Sequence, residues 1–219
     1  MRNHALSYFK RPYIPYIIPF VLYAIFLYIG PLFNIPKILI YPVKITLVAF
    51  SLIYFWEIFK QEIKFKFSWL ALLSGVFVFL LWVLTEGLYP QIGYSECCNP
   101  YNQASGYVVY LLIAFRMTGA SVVVPLMEEL FWRSFGLRFA IQSDFKSVPL
   151  GQFSWFSFLF ISILFGFEHH RWLPGIFAGM VYAGVLYKTR NLFVPILSHA
   201  VTNFLLGIYV LITENWSFW

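Results

Sequence analysis

The chain has 219 residues, of which 61% are hydrophobic, 22% aromatic and only 11% charged, and its mean hydropathy is +0.75. Soluble domains are about a quarter charged, so these values exclude one and describe a polytopic membrane protein. The formal charge of +6 does not mark a nucleic-acid binder, because the basic residues sit between apolar runs, where orientation signals belong,.

Seven apolar runs follow one another. The first covers about residues 14–30, with Pro15 and Pro19 at an irregular entry and Pro31 at its end,. The segment before it, MRNHALSYFKRPYIPY, starts basic but offers no small-residue cleavage site, so a retained span is expected rather than a removed signal peptide,. The second run, about 38–59, has Pro36 and Pro42 near its first turns and contains Lys44, which must snorkel or face protein,. A basic connector with Lys60, Lys64 and Lys66 leads to the third run, about 68–88. A long polar loop follows at 89–105, with no Lys or Arg and with Pro90, Gly93 and Pro100 as breakers,. Its adjacent Cys97 and Cys98 provide no disulfide framework and are read as incidental,.

The fourth run, about 107–126, continues into the charged stretch PLMEELFWRSFGLR. Gly119, Ala120, Ser121 and Pro125 are expected to kink it or divide it into two helices,. The fifth run covers about 153–170. The sixth, about 173–187, carries Gly175, Gly179 and Gly184, which suit close helix packing,. The seventh covers about 192–212, and the tail ENWSFW suits an interface anchor,. The expected fold is all-α, a polytopic transmembrane bundle of about seven to eight helices. It forms a single integral-membrane domain over residues 1–219, with its chemistry in 119–205. Long continuous apolar runs argue against a transmembrane β-barrel, whose strands alternate.

Basic residues set the orientation. With the N-terminus inside, the inner segments hold Arg2, Lys10, Arg11, Lys60, Lys64, Lys66, Arg133, Arg138, Lys146, Lys188 and Arg190, and the outer ones only Lys37 and Arg171,. Lys44 and Arg116 lie within spans. This arrangement puts His169 near the outer end of its span and Glu128 and His199 nearer the inner side, a conflict that a re-entrant, tilted or split helix would remove.

Three polar islands interrupt the apolar sequence. The first holds Glu128, Glu129 and Arg133. Charged groups near a bilayer core are costly unless paired or hydrated, which makes them functional candidates. On a helix Glu129 and Arg133 are i,i+4 neighbours and can neutralise each other, leaving Glu128, about 100° further round, free for chemistry. Surface charges at a helix end are the alternative. The second island, FGFEHHRW, places Phe165 and His169 on one helical face beside Glu168 and His170,. The third, SHAVTN, does the same with His199 and Asn203, both able to donate hydrogen bonds,. An interhelical polar clamp is the alternative there. Together the islands supply the parts of a hydrolase, a base for water and donors for an oxyanion.

EELFWR, with FGFEH and HAVTN after it, resembles the EExxxR, FxxxH and HxxxN motifs of the CAAX prenyl protease and bacteriocin-processing family of intramembrane endopeptidases, the Abi or CPBP family, in the same order and spacing. The resemblance covers the chain from Gly119 onward. The closing sequence also looks like the CAAX protease-related proteins found with bacterial exosortase systems. The resemblance implies that Glu128 activates the attacking water with His169 as a helping base or orienting group. It implies that His199 and Asn203 form the oxyanion hole, that Glu129 and Arg133 hold the geometry, and that Phe165 shapes the pocket. It implies a metal-independent glutamate protease with no cofactor, acting on a protein or peptide substrate in a bilayer, expected to be a bacterial inner membrane. Water is expected to enter from the cytoplasmic side.

Three other readings compete. A zinc protease would use Glu128, His169 and His199 as ligands, although no HExxH helix is present,. A non-catalytic family member would act as a partner-binding, immunity or assembly factor. A small transporter would need a pathway through the midplane, which the paired Glu and Arg permit but no inverted repeat supports.

Overall fold

The structure, a computed structural model, describes residues 11–33, 37–93 and 99–219. Cys97 and Cys98 lie outside the described residues. Each apolar run forms one long helix, so the regular structure is helical throughout the described residues. The helices are α1 (Ile14–Phe33), α2 (Lys37–Tyr54), the single turn α3 (Trp56–Phe59), α4 (Trp69–Leu84), α5 (Tyr107–Phe139), α6 (Trp155–Phe167), α7 (Trp172–Thr189) and α8 (Phe193–Thr213). Both α5 and α8 are long and apolar enough to cross a membrane. Phe50, Ile53, Tyr54, Trp69, Leu73, Trp155 and Phe156 are mostly exposed. A water-soluble monomer rarely presents such an apolar exterior, whereas lipid favours it.

The expected division of the fourth run does not occur. Helix α5 is continuous from Tyr107 to Phe139, with wider π-helical stretches at Gly119–Val123 and Leu130–Gly136. Pro125 lacks an N–H, and its ring crowds the carbonyl four residues back. That carbonyl, of Ser121, lies in the first π stretch, which absorbs the proline without ending the helix. Helix α5 packs against α1, α2, α6, α7 and α8 and is the centre of the bundle.

Two small-residue seams set the other helices. On α7, a Cβ added at Gly175 would lie 2.9 Å from Gly166 Cα of α6, and one at Gly179 would lie 2.9 Å from Ser162 Cα. Gly184 has nothing within 4 Å and takes no part, contrary to expectation. It follows Gly179 by five residues, which turns it about 140° away from the seam. The second seam joins α4 and α8. A Cβ at Gly75 would come within 2.5 Å of Ser198 O, Ser74 Oγ and Ser198 Oγ are 2.8 Å apart, and Thr202 Oγ1 donates to Gly75 O at 2.9 Å.

Lys44 faces protein, with its Nζ 3.9 Å from the Tyr23 ring centroid. Arg133, assigned above to an inner segment, is instead buried within α5, because that helix runs well past residue 126. At the basic end of the bundle, Glu62 accepts from Arg138 Nη2 at 2.9 Å, from Lys146 Nζ at 2.8 Å and from Ser134 Oγ. Burial pushes the Glu62 carboxyl up, but the Arg138 and Lys146 charges outweigh it and hold the group below its ordinary value. A depressed carboxylate contributes stability that is complete above its unfolded value, near 4.3–4.5, and is lost as pH falls through the folded one. Thermal stability of the detergent-solubilised chain is therefore expected to fall on acidification below about pH 4.5, and Glu62→Gln should flatten that part of the profile. An unchanged slope in Glu62→Gln would remove this cluster as the cause.

Candidate active site

Helix α5 delivers Glu128 and Glu129 at the end of its α-helical segment, just before the second π stretch. π-Helical turns often occur at functional sites. Both carboxylates are buried, at 4% and 0% exposure. Arg133 Nε lies 3.1 Å from Glu129 Oε2. The contact is not an aligned hydrogen bond, so charge attraction dominates it. Its guanidinium carbon also stands 4.3 Å from the Phe165 ring centroid and 5.4 Å from that of Tyr182. The expected i,i+4 pair is thus formed, and aromatic faces cover it.

Glu129 has a second partner that the sequence did not reveal. Its Oε1 is 3.0 Å from His199 Nδ1. A carboxylate oxygen accepts there, so Nδ1 carries the proton and Nε2 remains for chemistry. That Nε2 lies 4.0 Å from Glu128 Oε2, which is buried and has no hydrogen-bond partner among the described residues. The His199 ring stacks on Tyr182, centroids 4.9 Å apart and planes at 20°. Tyr182 OH donates to Thr202 Oγ1 at 2.8 Å, and Thr202 donates to Gly75 O. The seam between α4 and α8 therefore fixes the imidazole as well as the helix. Tyr182 carried no signal in the sequence beyond being a polar-tipped residue in a glycine-rich span.

Helix α6 brings His169. Its Nδ1 lies 2.9 Å from Phe165 O, and a carbonyl only accepts, so Nδ1 holds the proton and Nε2 is left as an acceptor,. The depth conflict raised by the sequence disappears because α6 is short. Its 13 residues rise about 20 Å, against about 30 Å for a bilayer core,. Glu168 and His170 have structural partners: Glu168 Oε2 accepts from Trp132 Nε1 at 2.9 Å, and His170 Nδ1 bonds Ile92 O at 2.7 Å. Asn203 Nδ2 donates to Ala120 O at 2.8 Å, which leaves its second N–H and its oxygen for other partners,.

Glu128, Phe165, His169, His199 and Asn203 all line one cavity of about 210 Å³. That is room for several waters at roughly 30 Å³ each. From Glu128 it extends along α5 to Arg116, Phe218 and Trp219, away from the basic end where Glu62, Arg138 and Lys146 are clustered. Glu128, His169 and the His199–Asn203 pair thus face one cavity from three parts of the chain. Residues 107–205 match the family model of the type II CAAX prenyl endopeptidases, Rce1-like.

Over residues 107–205 the chain is similar to the CAAX protease family.

The match begins twelve residues before Gly119, where the motif resemblance starts, and spans the whole of α5 as well as α6 and α7. No curated protein and no solved structure matches the chain. Among the described residues no three His, Cys, Asp or Glu side chains are gathered as a metal centre needs,. In this segment His199 gives one ring nitrogen to Glu129, and the other oxygen of the same carboxylate faces Arg133.

Proposed function

We propose that this chain is a metal-independent intramembrane endopeptidase that hydrolyses a peptide bond in a lipidated, membrane-associated or leader-bearing protein. The observation that carries the reading is the convergence of Glu128, His169, His199 and Asn203 on one cavity with room for several waters, with Glu129 and Arg133 buried behind them. Glu128 takes a proton from water as the water oxygen bonds the scissile carbonyl carbon, and the Nε2 of His169 accepts the water's other hydrogen. The carbonyl oxygen becomes an oxyanion and receives N–H bonds from Asn203 and from His199 Nε2 in its imidazolium form. The negative Glu129 carboxylate lies 3.0 Å from Nδ1, behind the ring that donates. Collapse of the tetrahedral intermediate breaks the C–N bond, and the proton on Glu128 passes to the leaving amine.

The excess of basic residues at the Glu62 end supports reading that end as the cytoplasmic one. The cavity leads the other way, which favours entry of water and substrate from the face opposite the Glu62 end. Removing an oxyanion donor lowers kcat by about 10²–10³. His199→Ala and Asn203→Ala are each expected to do so on a substrate that the wild type cleaves, with KM nearly unchanged. Wild-type kcat in both variants would remove the oxyanion assignment.

A further inference from the structure

Helix α6 ends at Phe167, so helical geometry does not place His169. The polar residues of the turn that follows each have an anchor of their own. His169 Nδ1 donates to Phe165 O at 2.9 Å, and His170 Nδ1 donates to Ile92 O at 2.7 Å. Arg171 meets both oxygens of Glu86, at 2.7 and 2.8 Å, and donates to Ser217 O. These contacts run back along α6, out to the loop after α4, or to the tail. Glu168 reaches the helix that carries Glu128, for Trp132 Nε1 donates to its Oε2 at 2.9 Å. Among the described residues no other side-chain hydrogen bond joins residues 168–171 to α5. Trp132 stands about one turn past Glu128 on that helix,. Its ring is buried against Phe20, Phe131 and Phe165, which fixes the direction of its N–H. Glu168 is exposed beside Phe167 on the apolar exterior, where a carboxylate is costly and marks a function,. The His169 ring itself is flanked by Trp82 and Phe165, centroids 5.4 and 5.0 Å away. Ring contacts tolerate sliding, whereas a hydrogen bond weakens steeply when it is bent.

We propose that Glu168 is a positioning residue that sets His169 against Glu128 by accepting the Trp132 N–H. The proposal rests on the hydrolase reading of Glu128 and adds to it the part that aligns its second base. Trp132 moves with Glu128 because both stand on α5, and Glu168 moves with His169 because they are adjacent in the chain. The hydrogen bond closes that frame and holds the His169 Nε2 at one depth beside the Glu128 carboxylate. The cavity lining includes neither Glu168 nor Trp132, so both act through His169 and not on the substrate. Position is what the bond supplies. A glutamine oxygen accepts the same N–H without a charge, and an alanine accepts nothing.

The test uses the 219-residue chain, purified in detergent, and a peptide that it cleaves. Trp132→Phe and Glu168→Ala should each lower kcat by about 10², the cost of a misplacement of about 1 Å, with KM nearly unchanged. The double variant should be no slower than either single one, because both break the same bond. Glu168→Gln should keep most of the rate. With His169→Ala already present, Trp132→Phe should cost nothing further. Additive losses, a Glu168→Gln as slow as Glu168→Ala, or a further loss in the His169→Ala background would overturn the proposal. Should Trp132→Phe melt early, Glu168→Ala, at an exposed position, carries the comparison. A second readout needs no cleavage. Diethyl pyrocarbonate modifies free imidazole nitrogens, and peptide mass spectrometry reads its rate at His169 with His199 as the internal reference. The rate at His169 should rise about tenfold in Trp132→Phe and in Glu168→Ala, the least that a hydrogen bond to a charged group is worth, while His199 keeps its rate. An unchanged rate at His169 would overturn the proposal. A response at His169 in a chain that cleaves nothing would sink the hydrolase reading and leave the Trp132–Glu168 tie standing. Cleavage abolished by Glu128→Gln but indifferent to Glu168 and Trp132 would do the reverse.

Discussion

Glu128→Gln is expected to abolish peptide hydrolysis and to leave the bundle as stable as before. Glutamine fills the same volume, so the packing of α5 does not change. The lost charge is no loss to stability, because Glu128 Oε2 is buried and makes no hydrogen bond among the described residues. A buried carboxylate without a close partner is a cost that the neutral amide avoids. Chemistry should respond very differently, since glutamine cannot accept the water's proton. General-base catalysis contributes about 10²–10⁴ in rate, and kcat should fall by at least that factor. The check pairs detergent thermal unfolding with cleavage of farnesylated and membrane-segment peptides, each run beside the wild type. Retained cleavage in the variant would show that Glu128 is not the base. A variant that melts early, with neither protein cleaving any peptide, would mean instead that the polar islands are interhelical clamps of a partner-binding protein.

The parts of this site that the sequence made legible are those encoded locally. Seven apolar runs became seven long helices because each is long enough to require its own backbone bonding in lipid,. The pairing of Glu129 with Arg133 and the shared face of His199 with Asn203 follow from helical spacing alone, whereas His169, two residues past the end of α6, meets Phe165 through its ring nitrogen,. What stayed hidden depends on contacts between helices. Gly119 and Pro125 are breakers by type, yet α5 runs through them because a π stretch takes up the proline and five helices pack around it. The apparent mismatch in depth between His169 and Glu128 came from reading residues 153–170 as a full span, whereas the helix stops at Phe167 after about 20 Å,. Nothing local ties Glu129 to His199, seventy residues away, or sets Tyr182 under the imidazole ring. Arg116 was visible as a charge within a span, but its aromatic surroundings come from α2 and the distant tail.

Breaking the buried ion pair is expected to give the largest loss of stability in the molecule. Glu129 and Arg133 have side-chain exposures of 0% and 1%, and neither can turn to water when the other is removed. Arg133→Met leaves the Glu129 carboxylate with His199 Nδ1 as its remaining partner. Removing one member of a buried pair costs about 3–5 kcal/mol, so the melting temperature should drop sharply and activity should fall with it. The double variant Glu129→Gln/Arg133→Met separates the two effects. It removes both charges, and its amide oxygen can still accept the His199 Nδ1 hydrogen. Replacing a whole buried pair is often neutral, so most of the lost stability should return. Activity should not return with it. An amide beside Nδ1 puts no negative charge behind the ring that donates to the oxyanion, and kcat is expected to stay about 10²-fold down, the size of a lost oxyanion donor. Thermal unfolding and cleavage kinetics on the same three proteins decide the matter. A stable Arg133→Met would show that the pair does not neutralise a buried charge. Full activity in the double variant would show that the pair only holds the helices, and that His199 acts without the charge behind it.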